Sequence, residues 1–307
     1  MIEKEKMIRE IQLVNLQSLK KLDEICKKHG IKYWAAYGTL IGTIRHQGFI
    51  PWDDDLDIAM LHEDFDKLCQ VPKEEWGDDC LFLTGSSDDS RHDKLFGRVY
   101  QVKSRIQSPR DVKQWVNPKS GKAFYTSLMC DIYIFDYVPD NDQEYKDMYS
   151  KTVAIANKKY KPSKLRYKCP NSSAAGHIKA FLKNLYYGFL RRIYKRPWAR
   201  YEHQVENLIK KGSKGRRIGT FYTVDPYLYD KDDIFPLQYA KFEDMEIPIP
   251  KNYDKILRDM YGDYMQFPPE NERYHINFIY ADLGNGKKYV VDPMPGSLGE
   301  GETVDVK

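Results

Sequence analysis

Nowhere in the 307 residues does an uninterrupted apolar run reach membrane-spanning length, which argues against an integral membrane protein. The N-terminal stretch MIEKEKMIREIQ is charged and has no apolar core of the kind a secretory signal needs. Cysteine is scarce, with five residues at 26, 69, 80, 130 and 169, and no Cys-x-x-Cys pair. That odd, scattered set disfavours both a disulfide framework and a zinc knuckle, and it fits a reducing compartment. A large charge imbalance is also missing: the formal net charge is +4, so an anionic partner is implied only if the charge is unevenly placed. No internal repeat is present. These absences lead to the expectation of a cytoplasmic protein.

What is present is apolar and aromatic. Hydrophobic residues make up 41% of the chain, with 24 Tyr, 13 Phe and 5 Trp, enough for one large core or two smaller ones. From Met7 to Cys26 apolar residues recur at helical spacing, and His29-Gly30 reads as the stop. IKYWAAY reads as a buried strand, LIGTIRH as a short helix and HEDFDKLC as another helix. DKLFGRVYQVKSRI and LMCDIYIFDYVP read as strands, FEDMEIPIP as a hairpin or edge strand, and NYDKILRDMYG as a helix ending near Gly262. The mixture predicts an α/β or α+β core.

The densest chemistry lies in GFIPWDDDLDIAM, residues 48 to 60. Carboxylates and apolar residues alternate there, so a strand is predicted with Asp53, Asp55 and Asp57 on one face and Asp54, Leu56 and Ile58 on the other. Unpaired carboxylates so placed would raise one another's pKa or destabilise the edge. A divalent cation resolves the conflict, and Mg²⁺ (or Mn²⁺) suits one or two carboxylates completed by water and substrate phosphate. An acidic solvated loop is the plainer alternative. Gly38-Thr39, between a strand and a helix, could let backbone approach a phosphate, or Thr39 could simply cap the helix. Asp131 is a further carboxylate in an apolar strand.

In order, Gly-Thr, then Asp-apolar-Asp, then a later strand aspartate resembles the signature of the nucleotidyltransferase fold. The longer run YGTLIGTIRHQGFIPWDDDLDIAM resembles the LicD family of phosphocholine transferases, which includes the fukutin-related ribitol-phosphate transferases. The resemblance extends to KFEDMEIPIPKNYDKILRDMYGDYMQFPPENERYH near the C-terminus. It implies an α+β, nucleotidyltransferase-like mixed sheet flanked by helices. It also implies metal binding by Asp55, Asp57 and Asp131, with Asp53 in the same catalytic cluster. Asp131 would bind metal or take the acceptor's proton. A substituted phosphate, phosphocholine foremost, would pass from CDP-choline or a similar CDP-activated donor to a sugar hydroxyl of a cell-surface glycan or teichoic acid precursor. CMP would be released. Lys94 and Arg98, four residues apart on one strand face, are candidate phosphate contacts; Gly38, Thr39, Arg45, Trp52 and His275 join them as candidate substrate contacts. A quaternary ammonium would want aromatic faces, for which Trp52, Tyr37, Tyr100 and Tyr133 are candidates. Two other readings compete: a nucleotidyltransferase that makes an activated donor, and a non-catalytic nucleotide- or choline-binding protein.

The expected organisation is a catalytic core over 1–140, a basic helical insertion over 141–217, a return to the core over 218–282 and a loose tail over 283–307. In the insertion, Ile178, Phe181, Leu182, Leu185, Tyr186, Phe189, Leu190, Ile193 and Tyr194 form one helical stripe with Lys and Arg outside it. That stripe could face the core, or residues 178–196 could meet the inner membrane face peripherally, beside a lipid-linked acceptor. The basic patch carries no nucleic-acid reading motif.

Overall fold

The computed structural model describes residues 2–85, 87, 96–107, 115–116, 126–157, 166–167, 173–193, 215–220, 227–270, 273 and 280–290. Lys94, His275, Lys195 and Arg196 lie outside the described residues, as do residues 291–307 of the expected tail. So do 210–214 of KKGSKGRR (210–217), which the sequence reads as a basic turn and whose last residue, Arg217, begins a strand.

Helix α1 (Ile2–His29) ends as its sequence predicts: Gly30 takes φ +62° and the Ile31 N–H donates to the Cys26 carbonyl at 2.8 Å. Strand β1 (Trp34–Ala35), helix α2 (Tyr37–His46), strand β2 (Asp57–Leu61) and helix α3 (His62–Cys69) follow. Then come β3 (Cys80–Leu83), β4 (Gly97–Gln101), β5 (Arg105–Gln107), β6 (Trp115–Val116) and the long β7 (Met129–Val138). The insertion carries α4 (Asp142–Asn157), β8 (Arg166–Tyr167) and α5 (Ala174–Ile193). The chain returns through β9 (Arg217–Gly219), β10 (Leu228–Asp230), α6 (Lys231–Ile234), β11 (Gln238–Phe242), β12 (Met245–Ile249), α7 (Tyr253–Tyr261), β13 (Tyr280–Asp282) and β14 (Lys288–Val290).

The main sheet runs β1-β2-β7-β4-β3, with β9 on the far half of β7 and β10 on β9. Only β2 and β7 are parallel within it; the other pairs are antiparallel. The fold is therefore α+β with a mixed, helix-flanked sheet, as expected. One face of α1 packs Leu16, Leu19, Leu22, Ile25 and Cys26 into the main core. Its N-terminal part packs Met7, Ile8 and Ile11 against Leu128, Ala281 and Leu283. The β11–β12 hairpin closes on α2: Glu243 N–H donates to the Gln47 carbonyl, its carboxylate accepts from Phe49 N–H, and Phe242 packs on Phe49.

Several expectations shift. IKYWAAY gives only two strand residues. The DDLDIAM strand begins at Asp57, because the backbone of the preceding aspartates is bonded elsewhere, as described below. DKLFGRVYQVKSRI breaks after Gln101, where the Ser104 hydroxyl donates to the Gln101 carbonyl and accepts from Leu128 N–H. That turn sends β5 into a separate three-stranded sheet with β13 and β14. Residues 283–290, expected within a loose tail, are structured: Leu283 is buried and Lys288–Val290 pairs with β13.

The bend after α2 is tight. A Cβ on Gly42 would meet the Gly48 carbonyl oxygen at 2.4 Å and Ile50 N at 3.2 Å. Alanine gains up to about 1 kcal/mol of helix propensity over glycine, but the obstacle here is backbone and cannot rotate aside. Gly42→Ala is expected to destabilise the protein by on the order of 1–2 kcal/mol, read from the urea midpoint.

Candidate active site

The site grows from the segment between α2 and β2. Asp53 N–H donates to the Ile50 carbonyl at 3.0 Å, so the chain turns here. Two buried amides of α1 hold the turn from beneath. Gln12 Nε2 donates to the carbonyls of Ile50 (2.9 Å) and Asp53 (2.8 Å), and Asn15 Nδ2 donates to that of Asp54 (2.9 Å). These bonds take the backbone acceptors that a strand would have offered to a neighbour. The consequence is a correction to the two-faced picture: Asp54 is buried, and its carboxylate stays with its neighbours. One carboxylate oxygen each of Asp53, Asp54 and Asp55 lie within 4.8 Å of one another.

Gly38 makes room for this cluster. A Cβ there would lie 2.6 Å from Asp53 Oδ2, so the glycine admits a carboxylate. Thr39 is a brace: its hydroxyl accepts from Asp57 N–H at 2.8 Å. Across the sheet, Asp57 is in register with Asp131 on β7, and Asp131 with Arg98 on β4. Residues in register project to the same face, so the three make one row. Arg98 holds Asp131 through two bonds, Nε to Oδ1 at 2.6 Å and Nη2 to Oδ2 at 3.1 Å, and its guanidinium lies over Phe96.

The row is electrostatically strained. Asp55 is exposed, and Asp53 and Asp57 are half-buried. The protein crowded around these carboxyls still strips hydration and pushes all three upward. For Asp53 burial dominates, partly offset by the N–H groups of Asp55 and Asp54. For Asp55 burial is joined by the charges of Asp54, Asp53 and Asp131, and for Asp57 by those of Asp55, Asp131 and Asp53, with Arg98 opposing in both. An aromatic wall adjoins the row. Tyr37 packs edge-on against Tyr133 at 4.6 Å and against Tyr227 at 4.8 Å, and Tyr133 stacks on Phe96 at 4.9 Å.

The other sequence candidates go elsewhere. Arg45 donates to the Tyr264 and Gln266 carbonyls and lies over Phe267 and Trp52. Arg273 covers Trp52 as well, at 4.8 Å. Trp52 thus already serves the chain's own cations, and Arg45 anchors the segment after α7. Tyr100 is fully buried in the core. Sequence reasoning missed Gln12, Asn15 and the clustering of Asp54. The first two had a signal, since they are uncharged polar residues on the apolar stripe of α1.

Residues 30–167 match the family model described as the LicD/FKTN/FKRP nucleotidyltransferase domain. The chain carries a LicD-family nucleotidyltransferase domain. It is 25% identical over 280 residues to the lipopolysaccharide cholinephosphotransferase LicD of Haemophilus influenzae, covering 89% of this chain and 97% of that one. Over 55 residues it is 53% identical to an uncharacterized protein of Rickettsia prowazekii, 18% of this chain and 21% of the relative. Over 48 residues it is 40% identical to the human ribitol 5-phosphate transferase FKRP, 16% of this chain and 10% of that one. The LicD domain holds all five aspartates and Arg98. Gln12, Asn15 and Glu243, which brace its acidic turn, lie outside the matched range.

The donor set of the LicD domain suits a hard divalent cation: among the described residues the clustered ligand atoms are carboxylate oxygens, and burial and neighbouring negative charge push these carboxyls upward. Linkage gives the test. A carboxyl whose folded pKa is raised binds its proton more tightly in the folded state. Its contribution is present below the ordinary value and is lost as pH rises through the folded value. In EDTA, stability should therefore fall as pH rises above about 4 through the raised range. Mg²⁺ should remove that loss, so the melting shift on adding Mg²⁺ is expected to be larger at pH 8 than at pH 5. Differential scanning fluorimetry in both buffers checks this; an equal or reversed shift counts against a cation at these carboxylates.

Proposed function

We propose that the chain is a metal-dependent transferase that moves a substituted phosphate from a CDP-activated donor to a sugar hydroxyl, releasing CMP. The observation that carries the proposal is the row Asp57–Asp131–Arg98 set beside the Asp53–Asp54–Asp55 cluster: negative charge gathered where a cation can bridge to a diphosphate. Similarity to a cholinephosphotransferase along most of both chains supports the class and favours phosphocholine as the group transferred. The similarity to a ribitol 5-phosphate transferase supports the same class with another substituent. A cytoplasmic location and a lipid-linked precursor of a cell-surface glycan as acceptor complete the proposal.

Asp53, Asp54 and Asp55, with Asp57 and Asp131 alongside, would hold Mg²⁺ or Mn²⁺, which neutralises diphosphate charge and supports CMP as it leaves. The chain's own residues do the rest. The acceptor oxygen forms a bond to the substituent-bearing phosphorus while the bond from that phosphorus to the CMP oxygen breaks. CMP departs with the electron pair. The hydroxyl proton passes to a carboxylate. Arg98 engages Asp131, and burial with neighbouring charge favours a bound proton on Asp53, Asp55 and Asp57 alike, so the acceptor is whichever of these three the cation leaves free. Thr39 fixes the backbone of Asp57, and Gly38 fixes the reach of Asp53.

Purified protein with Mg²⁺, a glycan acceptor and CDP-choline, CDP-ethanolamine, CDP-glycerol or CDP-ribitol should release CMP from one donor. Asp55→Ala/Asp57→Ala should lose at least about 100-fold of that rate. Pyrophosphate release from CTP instead would identify an enzyme that makes the activated donor. Donor binding without release of CMP or pyrophosphate would identify a binding protein.

A further inference from the structure

Helix α5 is inverted relative to an ordinary surface helix. Ile178, Phe181, Leu182, Leu185, Tyr186 and Phe189 recur at spacings of three and four and so share one stripe. A stripe of this kind normally faces the core. Here each of the six is between 55 and 66% exposed. The side turned inward is small and polar: Ala180 is buried, and Lys183 and Asn184 are half-buried. Six large apolar side chains in one row exceed the scattered exposure that is normal for a soluble surface.

The charge around the stripe says what kind of surface covers it. Between Asp147 and Glu202 the sequence has fourteen Lys and Arg and no Asp or Glu. Lys179 is exposed beside the stripe. A protein partner could be apolar without being anionic. A bilayer with anionic headgroups is both, with apolar depth for the stripe and phosphate for the flanking cations. Among the described residues no helix is long and apolar enough to cross a membrane, so α5 would lie along the surface.

We infer that α5 is an interfacial helix that seats the protein on an anionic lipid surface through Ile178, Phe181, Leu182, Leu185, Tyr186 and Phe189. Such seating would bring the active site to an acceptor carried on lipid, a consequence that rests on the transferase reading; the seating itself does not.

The test uses the full chain and vesicles that contain neither nucleotide nor glycan, so it is decided independently of catalysis. Flotation is measured with vesicles of phosphatidylcholine alone and with roughly 30 mol% phosphatidylglycerol. The protein is expected to float with the anionic vesicles, to do so less as salt is raised, and to remain behind with the neutral ones. Phe181→Ser/Leu185→Ser/Phe189→Ser is expected to lower the bound fraction at least about 10-fold. Its melting temperature should be unchanged, because the replaced side chains are exposed. A wild-type protein that does not float, or a triple variant that floats as well, overturns the inference. So does a wild-type dimer that fails to float and that the triple variant converts to a monomer, which would assign the stripe to a second copy of the chain. Should the triple variant melt early, single Phe181→Ser and Phe189→Ser variants replace it, and undiminished flotation by both is equally contrary.

Discussion

The architecture depends on one unfavourable interaction, the repulsion among carboxylates brought together at the start of β2. Two unit charges about 5 Å apart repel by roughly 3 kcal/mol at an effective dielectric near 20. Asp53, Asp54 and Asp55 alone make three such pairs, with Asp57 and Asp131 close by. Among the described residues Arg98 opposes this charge, and it is already committed to Asp131. Two ways out remain: the carboxyls take up protons, as their upward shifts indicate, or a divalent cation takes the protons' place. Under the proposed function the second would convert a liability into a device, since a cation held there would attract the diphosphate of an activated donor.

Holding such a cluster requires that its backbone not retreat. Elements far apart in the chain supply the restraint. Gln12 and Asn15 reach from α1 to three carbonyls of the turn, Glu243 reaches from the β11–β12 hairpin to Phe49, and Arg9 braces Glu243 in turn with two bonds of 2.8 and 2.7 Å. Arg45 ties the end of α2 to the segment after α7. The catalytic candidates thus sit within residues 30–167, but the parts that keep them crowded come from both ends of the chain.

How much of this could be read from the residues varies with the physics involved. LMCDIYIFDYVP marked β7, because a half-buried strand imposes alternation. The period-two pattern at 53–58 pointed to β2 but proved to be mostly the turn before it, and β2 itself is buried at every position after Asp57. The turn at 50–54 was hidden, since the amides that capture its carbonyls are some forty residues upstream. Gly38 was legible as a close approach, but the group approaching proved to be Asp53, which only the folded chain brings there. Trp52 was legible as an aromatic face and not as one already covered, because Arg273 lies more than two hundred residues away. The stripe of α5 was plain in the sequence. Which way it faced was not, because periodicity records that a face exists and not what covers it.

The central claim is that the carboxylates of Asp53, Asp54, Asp55, Asp57 and Asp131 hold a divalent cation. Anomalous diffraction from crystals grown with Mn²⁺ and CMP tests it most directly. The account predicts a manganese peak bound to oxygens of the Asp53–Asp57 segment and absent in crystals of Asp55→Asn/Asp57→Asn. A wild-type crystal with nucleotide bound and no peak at these carboxylates, or with its peak elsewhere, would contradict it.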